Sequence, residues 1–409
     1  MLSREECADL DRDDPLAHMR DRFILPEGVI YLDGNSLGLL PKTAVATLSH
    51  TVEQEWGQGL IRSWDDAGWF DLPQRLGDRL GRLIGAAPGQ VVACDGTSIN
   101  LYKTLRAALS LRPDRRTILA EAGSFPTDLY IIEGAAEGHR TRLLGRDGDS
   151  LDDLLDDDVA VVVLSHVDYR SGALLDMREL TAKAHRAGAL VIWDLCHSAG
   201  VVPVELDGCE ADFAVGCSYK YLNGGPGAPA FLYAAHRHYE ASRHPLTGWW
   251  GHAAPFAFER DFRPQDGIRR FLTGTQPILG LKGVEAALQL YDDVDLAALR
   301  AKSRALGDSF IALVEQHPDC AALQLASPRD SAVRGSHVAF TFPHGYAVIR
   351  AMIEQGVIGD FREPGLMRFG LAPLYLRQAD LFDAVEIMAD CLRRQVWTDP
   401  KYQTRAAVT

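Results

Sequence analysis

No stretch of the 409-residue chain approaches the roughly 18 uninterrupted apolar residues of a membrane-spanning helix. The acidic N-terminus MLSREECADLDRDDP also lacks the apolar core of a secretory leader. Cysteine is scarce and unpaired in pattern: seven residues, at positions 7, 94, 196, 209, 217, 320 and 391, form no C-x-x-C. An odd count without that spacing argues against a disulfide framework and a zinc knuckle, and a reducing, cytoplasmic setting is the expectation. Positive charge is in deficit, with 42 basic against 56 acidic residues and a net charge of −14. Sequence-independent binding of nucleic acid or of an anionic membrane is thereby excluded, and an anionic ligand would need a local pocket. No G-x-G-x-x-G follows a strand and no G-x-x-x-x-G-K-[ST] occurs, so Rossmann and P-loop readings fail. Internal repeats and low-complexity segments are absent as well.

What is present is an alternation of short apolar runs with longer amphipathic ones. TILAE (117–121), VAVVVLSHV (159–167), LVIWDL (190–195), DFAVGCS (212–218) and APAFLYAA (228–235) read as strands, with INLYKTLRAALSL and MRELTAKAHRAGA as helices between them. Continuous apolar runs mean strands buried on both faces. The expected fold is α/β: a large domain with a mostly parallel central sheet covered by helices. After TGTQPILGLKGVEAALQLY (273–291) the pattern becomes a long helical stretch and then strand, helix, strand, helix, suited to a small α+β domain. The expected division is 1–70 as an N-terminal segment packing with the small domain, 71–279 as the large domain and 280–409 as the small one.

Three stretches carry chemistry, all near strand ends, where such sheets bind ligands. In DGTSINLYKTL (95–105), Gly96, Thr97 and Ser98 precede a helix, and helix-start amides with two hydroxyls suit a phosphate. Alone, a plain Ser/Thr N-cap is the better reading of G-T-S. In IWDLCHSAG (192–200), Asp194 and His197 follow a buried strand. A carboxylate there is costly unless it meets a cation such as a protonated ring nitrogen, or it caps the next helix while His197 sits satisfied in the core. Metal ligation is not expected, because the spacings of Cys196, His197, Cys209 and Cys217 match no zinc pattern. In SYKYLNGGPG (218–227), Lys220 stands before a glycine-rich turn. An amine is nucleophilic only when deprotonated, and burial or a neighbouring cation would lower its pKa. A phosphate cradle, an anion for a pyridinium nitrogen and an amine for an aldehyde are together what pyridoxal 5'-phosphate requires.

This order of features resembles the aminotransferase-like, fold type I pyridoxal phosphate enzymes. Within that group the chain is similar to the kynureninase family over YLDGNSLGLLP (31–41), SFPTDLY (124–130), DLCHSAG (194–200), SYKYLNGGPG (218–227), GWWGH (248–252) and LMRFGLAPLY (366–375). The family hydrolyses the Cβ–Cγ bond of L-kynurenine, and in some members of 3-hydroxy-L-kynurenine, in tryptophan catabolism. Anthranilate, or its 3-hydroxy form, and L-alanine are the products, reached through aldimine, quinonoid, ketimine and gem-diol intermediates.

By resemblance, Lys220 forms the aldimine, Asp194 pairs with the pyridine nitrogen and Phe125 lies against the ring. Thr97, Ser98, Asp128, Ser165, His197 and Tyr219 line the cofactor, and Tyr219 is also the candidate for proton transfers around Cγ. The resemblance further implies a homodimer with active sites at the subunit interface, Trp249 and Thr275 reaching the phosphate from the partner. Arg368 would hold the substrate α-carboxylate, with Ser36, Trp64, His252 and Gly274 near the substrate. Taken singly, Phe125 reads as core, Trp249 and Trp250 as a packing cluster and Arg368 as a surface cation. The alternative activity is that of a cysteine desulfurase or selenocysteine lyase of the same fold. Those carry His before the cofactor lysine and a cysteine on a mobile loop, whereas Tyr219 precedes Lys220 here, and Cys320 and Cys391 lie in helical contexts.

Overall fold

The computed structural model describes residues 2–404. Its centre is a seven-stranded sheet built from β2 (Val91–Ala93), β3 (Thr117–Glu121), β4 (Arg140–Leu144), β5 (Val159–Ser165), β6 (Leu190–Asp194), β7 (Phe213–Gly216) and β8 (Phe231–Ala234). A two-residue strand, β1 (Ile30–Tyr31), precedes them. The order across the large sheet is β2-β8-β7-β6-β5-β3-β4, and β8 alone runs against its neighbours. The expected mostly parallel α/β sheet is therefore found.

Helices cover both faces, so the strands bury side chains in both directions. Along β6, Val191 and Trp193 enter one core while Leu190 and Ile192 enter the other. Along β5 the alternation slips: Ala160 and Val161 enter the same core, where the register against β3 shifts. That irregularity has the signature of a bulge, which re-aims one strand without breaking the sheet.

The remaining strands are β9 (Gln324–Leu325), β10 (His337–Thr341), β11 (Val357–Ile358), β12 (Asp360–Arg362) and β13 (Leu366–Gly370). Four of them form an antiparallel sheet, β12-β13-β10-β9, packed with helices Leu296–Gln316, Gly345–Glu354 and Gln378–Arg393. The N-terminal residues join this unit, with β1 pairing in parallel with β11 and Asp33 bridging to Gly370. Asp11, in helix Arg4–Arg12, accepts from the amides of Gln378 at 2.6 Å and Ala379 at 3.0 Å, satisfying donors that a helix start leaves open.

The N-terminal segment then crosses to the large sheet. Gly38 N–H donates to the Tyr219 carbonyl at 2.8 Å, and a Cβ at Gly38 would collide with the Lys220 carbonyl and the Asn223 backbone. Only glycine allows this approach, which brings Asn35 and Ser36 to the mouth of the large sheet.

Candidate active site

Six of the seven strands of the large sheet point the same way, and the residues after their carboxyl ends enclose one cavity of about 330 Å³. Thr97 and Ser98 follow β2, Phe125 and Asp128 follow β3, and Ser165 ends β5. Asp194 ends β6 with Cys196 and His197 beyond it, and Tyr219 and Lys220 follow β7. From the small sheet come Arg362 and Arg368, and from the N-terminal segment Asn35 and Ser36.

Lys220 Nζ lies 2.9 Å from His197 Nε2. Burial, and then the charge of Lys220, hold His197 well below its ordinary value. The ring is therefore neutral and Lys220 donates to it. His197 Nδ1, which then carries the ring proton, is buried without a partner. Burial alone pulls Lys220 toward neutrality, as the sequence leads one to expect. Interaction with the ionisable groups of Cys217, Cys196, Tyr219 and Asp194 opposes that pull and raises it overall.

Asp194 Oδ1 accepts from Cys196 N–H at 2.8 Å, so this oxygen closes a turn and caps no helix. Asp128 hydrogen-bonds with Asp194, and burial, with the charge of Asp194, pushes Asp128 up to about 8. Asp128 is therefore the protonated donor of the pair. Tyr219 is pushed up to about 12 by burial and the charge of Cys217, so its phenol keeps its proton at neutral pH.

Helix Thr97–Ser110 begins at Gly96, an N-cap with no side chain to receive the first amides. The hydroxyls of Thr97 and Ser98 are not its caps, which removes the plain N-cap reading. The loop before it is held from behind: Lys103, fully buried, donates to Asp95 and, at 2.6 Å, to the Phe271 carbonyl. The nearby Gln276 Oε1 accepts from Asp95 N–H at 3.1 Å. An uncapped helix start with two hydroxyls fits a phosphate, a strand-end carboxylate fits a pyridinium, and Lys220 with the orphan His197 nitrogen fits an aldehyde and its ring substituents. The residues present thus fit pyridoxal phosphate.

Several bland readings fall on geometry. Phe125 is 45% exposed and packs edge-on against Tyr169 at 5.2 Å, so it is a cavity wall and not core. Arg368 is only 2% exposed and is no surface cation. Five sequence-stretch candidates do not reach this chain's cavity: Trp64, Trp249, His252, Gly274 and Thr275. Trp64 and Trp249 instead pack on Trp250, with ring centroids 5.4 Å apart in each pair. His252 Nε2 turns to the Asp261 carbonyl at 3.2 Å. The cluster reading therefore holds for these tryptophans within one chain.

Asn35, Thr127, Val167, Tyr169 and Arg362 line the cavity without having been singled out, and Cys196, weighed in the sequence only as a metal ligand, lines it too. Asn35, Thr127 and Cys196 lie inside quoted motifs, whereas Tyr169 and Arg362 are signalled only by polar or aromatic residues next to a buried strand. Cys320 and Cys391 are both buried, the first in a short helical turn and the second inside helix Gln378–Arg393.

Residues 299–388 match the model of the kynureninase C-terminal domain family. A kynureninase of Burkholderia pseudomallei is 52% identical over 417 aligned positions that cover 100% of each chain. One from Pseudomonas fluorescens is 51% identical with the same coverage. Among solved structures, the cysteine desulfurase CsdA of Escherichia coli superposes with a TM-score of 0.76 at 19% identity, covering 93% of this chain and 98% of that one. The cystine C–S lyase C-DES, in complex with cysteine persulfide, gives 0.77 at 19%, covering 89% and 98%. At that identity these two likenesses speak for the fold alone.

Proposed function

The chain belongs to the kynureninase family, the pyridoxal-phosphate-dependent hydrolases that cleave the Cβ–Cγ bond of kynurenine, and from that premise we propose how its residues divide the work. The carrying observation is the junction of Lys220, Asp194 and the uncapped start of helix Thr97–Ser110 in one cavity. Bound there, pyridoxal phosphate supplies an aldehyde that condenses with amines and a protonated ring that takes up an electron pair released at Cα.

Thr97 and Ser98, with the helix-start amides, hold the phosphate. Asp194 keeps the proton on the ring nitrogen, with protonated Asp128 donating to Asp194 from behind. Phe125 covers the ring, and Ser165 and His197 fix its edge. Lys220 Nζ, unprotonated, would hold the cofactor at its aldehyde carbon and, when free of it, would take the Cα proton of the substrate. Neutral His197 accepts from that nitrogen and steadies it between the two tasks. Tyr219, a phenol at neutral pH, protonates and deprotonates oxygen at Cγ as water adds to the γ-carbonyl. Arg368, held by Asp360, to which Ser36 also donates, receives the α-carboxylate, a task for a planar fork.

Trp249 and Thr275 are proposed to serve the phosphate of a partner copy, with Trp64, His252 and Gly274 completing the aryl pocket in the same dimer. Their segment supports this by its exposed apolar surface: Trp249 is 40%, Phe256 67% and Phe258 84% exposed. The boundaries 1–70, 71–279 and 280–409 are proposed as the working division. A reducing cytoplasm suits the seven free thiols.

The test is Lys220→Ala. Loss of kynurenine hydrolysis together with loss of the visible absorbance of the bound cofactor is expected, in a protein of unchanged circular dichroism. Retained hydrolysis would refute the assignment of Lys220.

A further inference from the structure

The small-sheet wall of the cavity carries more positive charge than one arginine supplies. Antiparallel pairing sets Asp360 opposite Arg368, and Arg362, two residues along the same strand, shares the face of Asp360. The Asp360 carboxylate accepts from Arg368 Nε at 2.8 Å, from Arg368 Nη2 and from Ser36 Oγ at 2.8 Å. It also pairs with Arg362 Nη2 at 2.8 Å. One carboxylate thus lies between two guanidinium groups. Burial and the charge of Asp360 push the neighbouring Asp33 up to about 7, so its negative charge is only partial in neutral solution and small in mildly acidic solution.

The donor count agrees. A guanidinium has five N–H groups. Arg368 uses Nε and one hydrogen of Nη2 on Asp360 and one of Nη1 on the Tyr169 carbonyl. One hydrogen on each terminal nitrogen remains, Ser36 Oγ being a distant 3.4 Å from Nη2. Arg362 pairs with Asp360 through charge and donates one hydrogen to the Phe361 carbonyl at 2.9 Å; its side chain is 37% exposed and lines the cavity. A surplus positive charge at a partly desolvated wall is costly unless an anion completes it.

We propose that Arg362 is a second ligand of the substrate α-carboxylate and that Asp360 is the positioning residue that fixes both guanidinium groups around it. The inference rests on the reading of Arg368 as the first such ligand. A single carboxylate, by holding both arginines, sets their spacing and prevents them from turning to other acids. Arg362 on the open side also provides a landing point where Arg368 is deeply enclosed.

Arg362→Gln in the cofactor-loaded protein tests it. Two readouts apply: steady-state kinetics with kynurenine, and titration of the cofactor's visible absorbance with L-alanine and with ethylamine, which has no carboxylate. Expected are an increase of about ten- to a hundredfold in KM and in the L-alanine dissociation constant, with kcat within about threefold and the ethylamine constant unchanged. Arg362→Lys should recover part of the loss. Changes below twofold in both KM and the alanine constant overturn the proposal, as does equal weakening of alanine and ethylamine, which marks a merely structural role. Arg368→Gln separates the two readings. If it leaves alanine binding intact, Arg368 loses its place, while the Arg362→Gln titration still decides the role of Arg362.

Discussion

Between Lys220 and Tyr219, two neighbouring residues in sequence, the structure separates the proton work by environment. Lys220 is buried and donates to His197, while Tyr219 is held as a phenol up to about 12. Tyr219→Phe keeps the ring and removes the proton. We expect kcat for kynurenine to fall by about 10²- to 10⁴-fold, while exchange of the alanine Cα proton with deuterated solvent, followed by NMR, changes by less than tenfold. Equal slowing of both would take Tyr219 out of the Cγ step. At this scale the sequence was legible where chemistry needs a rare residue at a strand end, as with Lys220 and Asp194. Asp360 and Tyr169 were not legible, because their roles come from touching Arg368, a residue they meet only through β-pairing and the meeting of the two sheets.

The elements hold the site by buried polar anchors as much as by apolar packing. Asp212, at the entrance to β7, is 1% exposed and accepts from Val191 N–H at 2.9 Å, while His185, His238 and Arg237 converge on it. Burial opposes its charge, but the hydrogen bonds from His185 and His238 outweigh it and lower its pKa strongly. Asp212→Asn leaves Arg237 without its counter-charge and weakens the acceptor shared by both histidines, so a loss of about 3–5 kcal/mol in chemical denaturation is expected. A loss below 1 kcal/mol would mean that the neighbours rearrange freely. Strands such as β5 and β6 were legible as apolar runs. The edge strand β4, RTRLL, was missed because it is half exposed and its composition suits a loop as well. The reversed direction of β8 was equally invisible, since an apolar run does not record which way its neighbours point.

For the whole molecule, burial displaces histidines and carboxyls in ways that oppose one another in pH. His166 and His244 are pushed down to about 4 and His337 to about 3, chiefly by burial. Between about pH 4 and 6.5 the unfolded chain binds more protons at these sites, so stability rises with pH. Burial raises Asp33 and Glu121 to about 7 and Asp128 to about 8, so the folded chain binds more protons there and stability falls with pH. The two trends offset each other up to about 6.5, above which only the fall remains. The cofactor-free protein should lose roughly 3 kcal/mol between pH 6.5 and 8, seen as a falling Tm. Glu121→Gln should flatten that fall, and a Tm that climbs over the same interval would contradict the assignment. The proposed dimer belongs to this scale too: Phe256→Asp with Phe258→Asp should yield a folded monomer in sedimentation with little activity, and an unchanged dimer would move the interface elsewhere. The sequence by itself determined the α/β class, the cofactor chemistry and the family, because strand periodicity, strand-end residues and long motifs are local properties of the chain. The tertiary structure alone decided that Asp360 holds two arginines, that His197 meets Lys220 and that five expected residues stay out of one chain's cavity. Charge balance and desolvation depend on which distant residues meet, and that is settled only when the chain closes on itself.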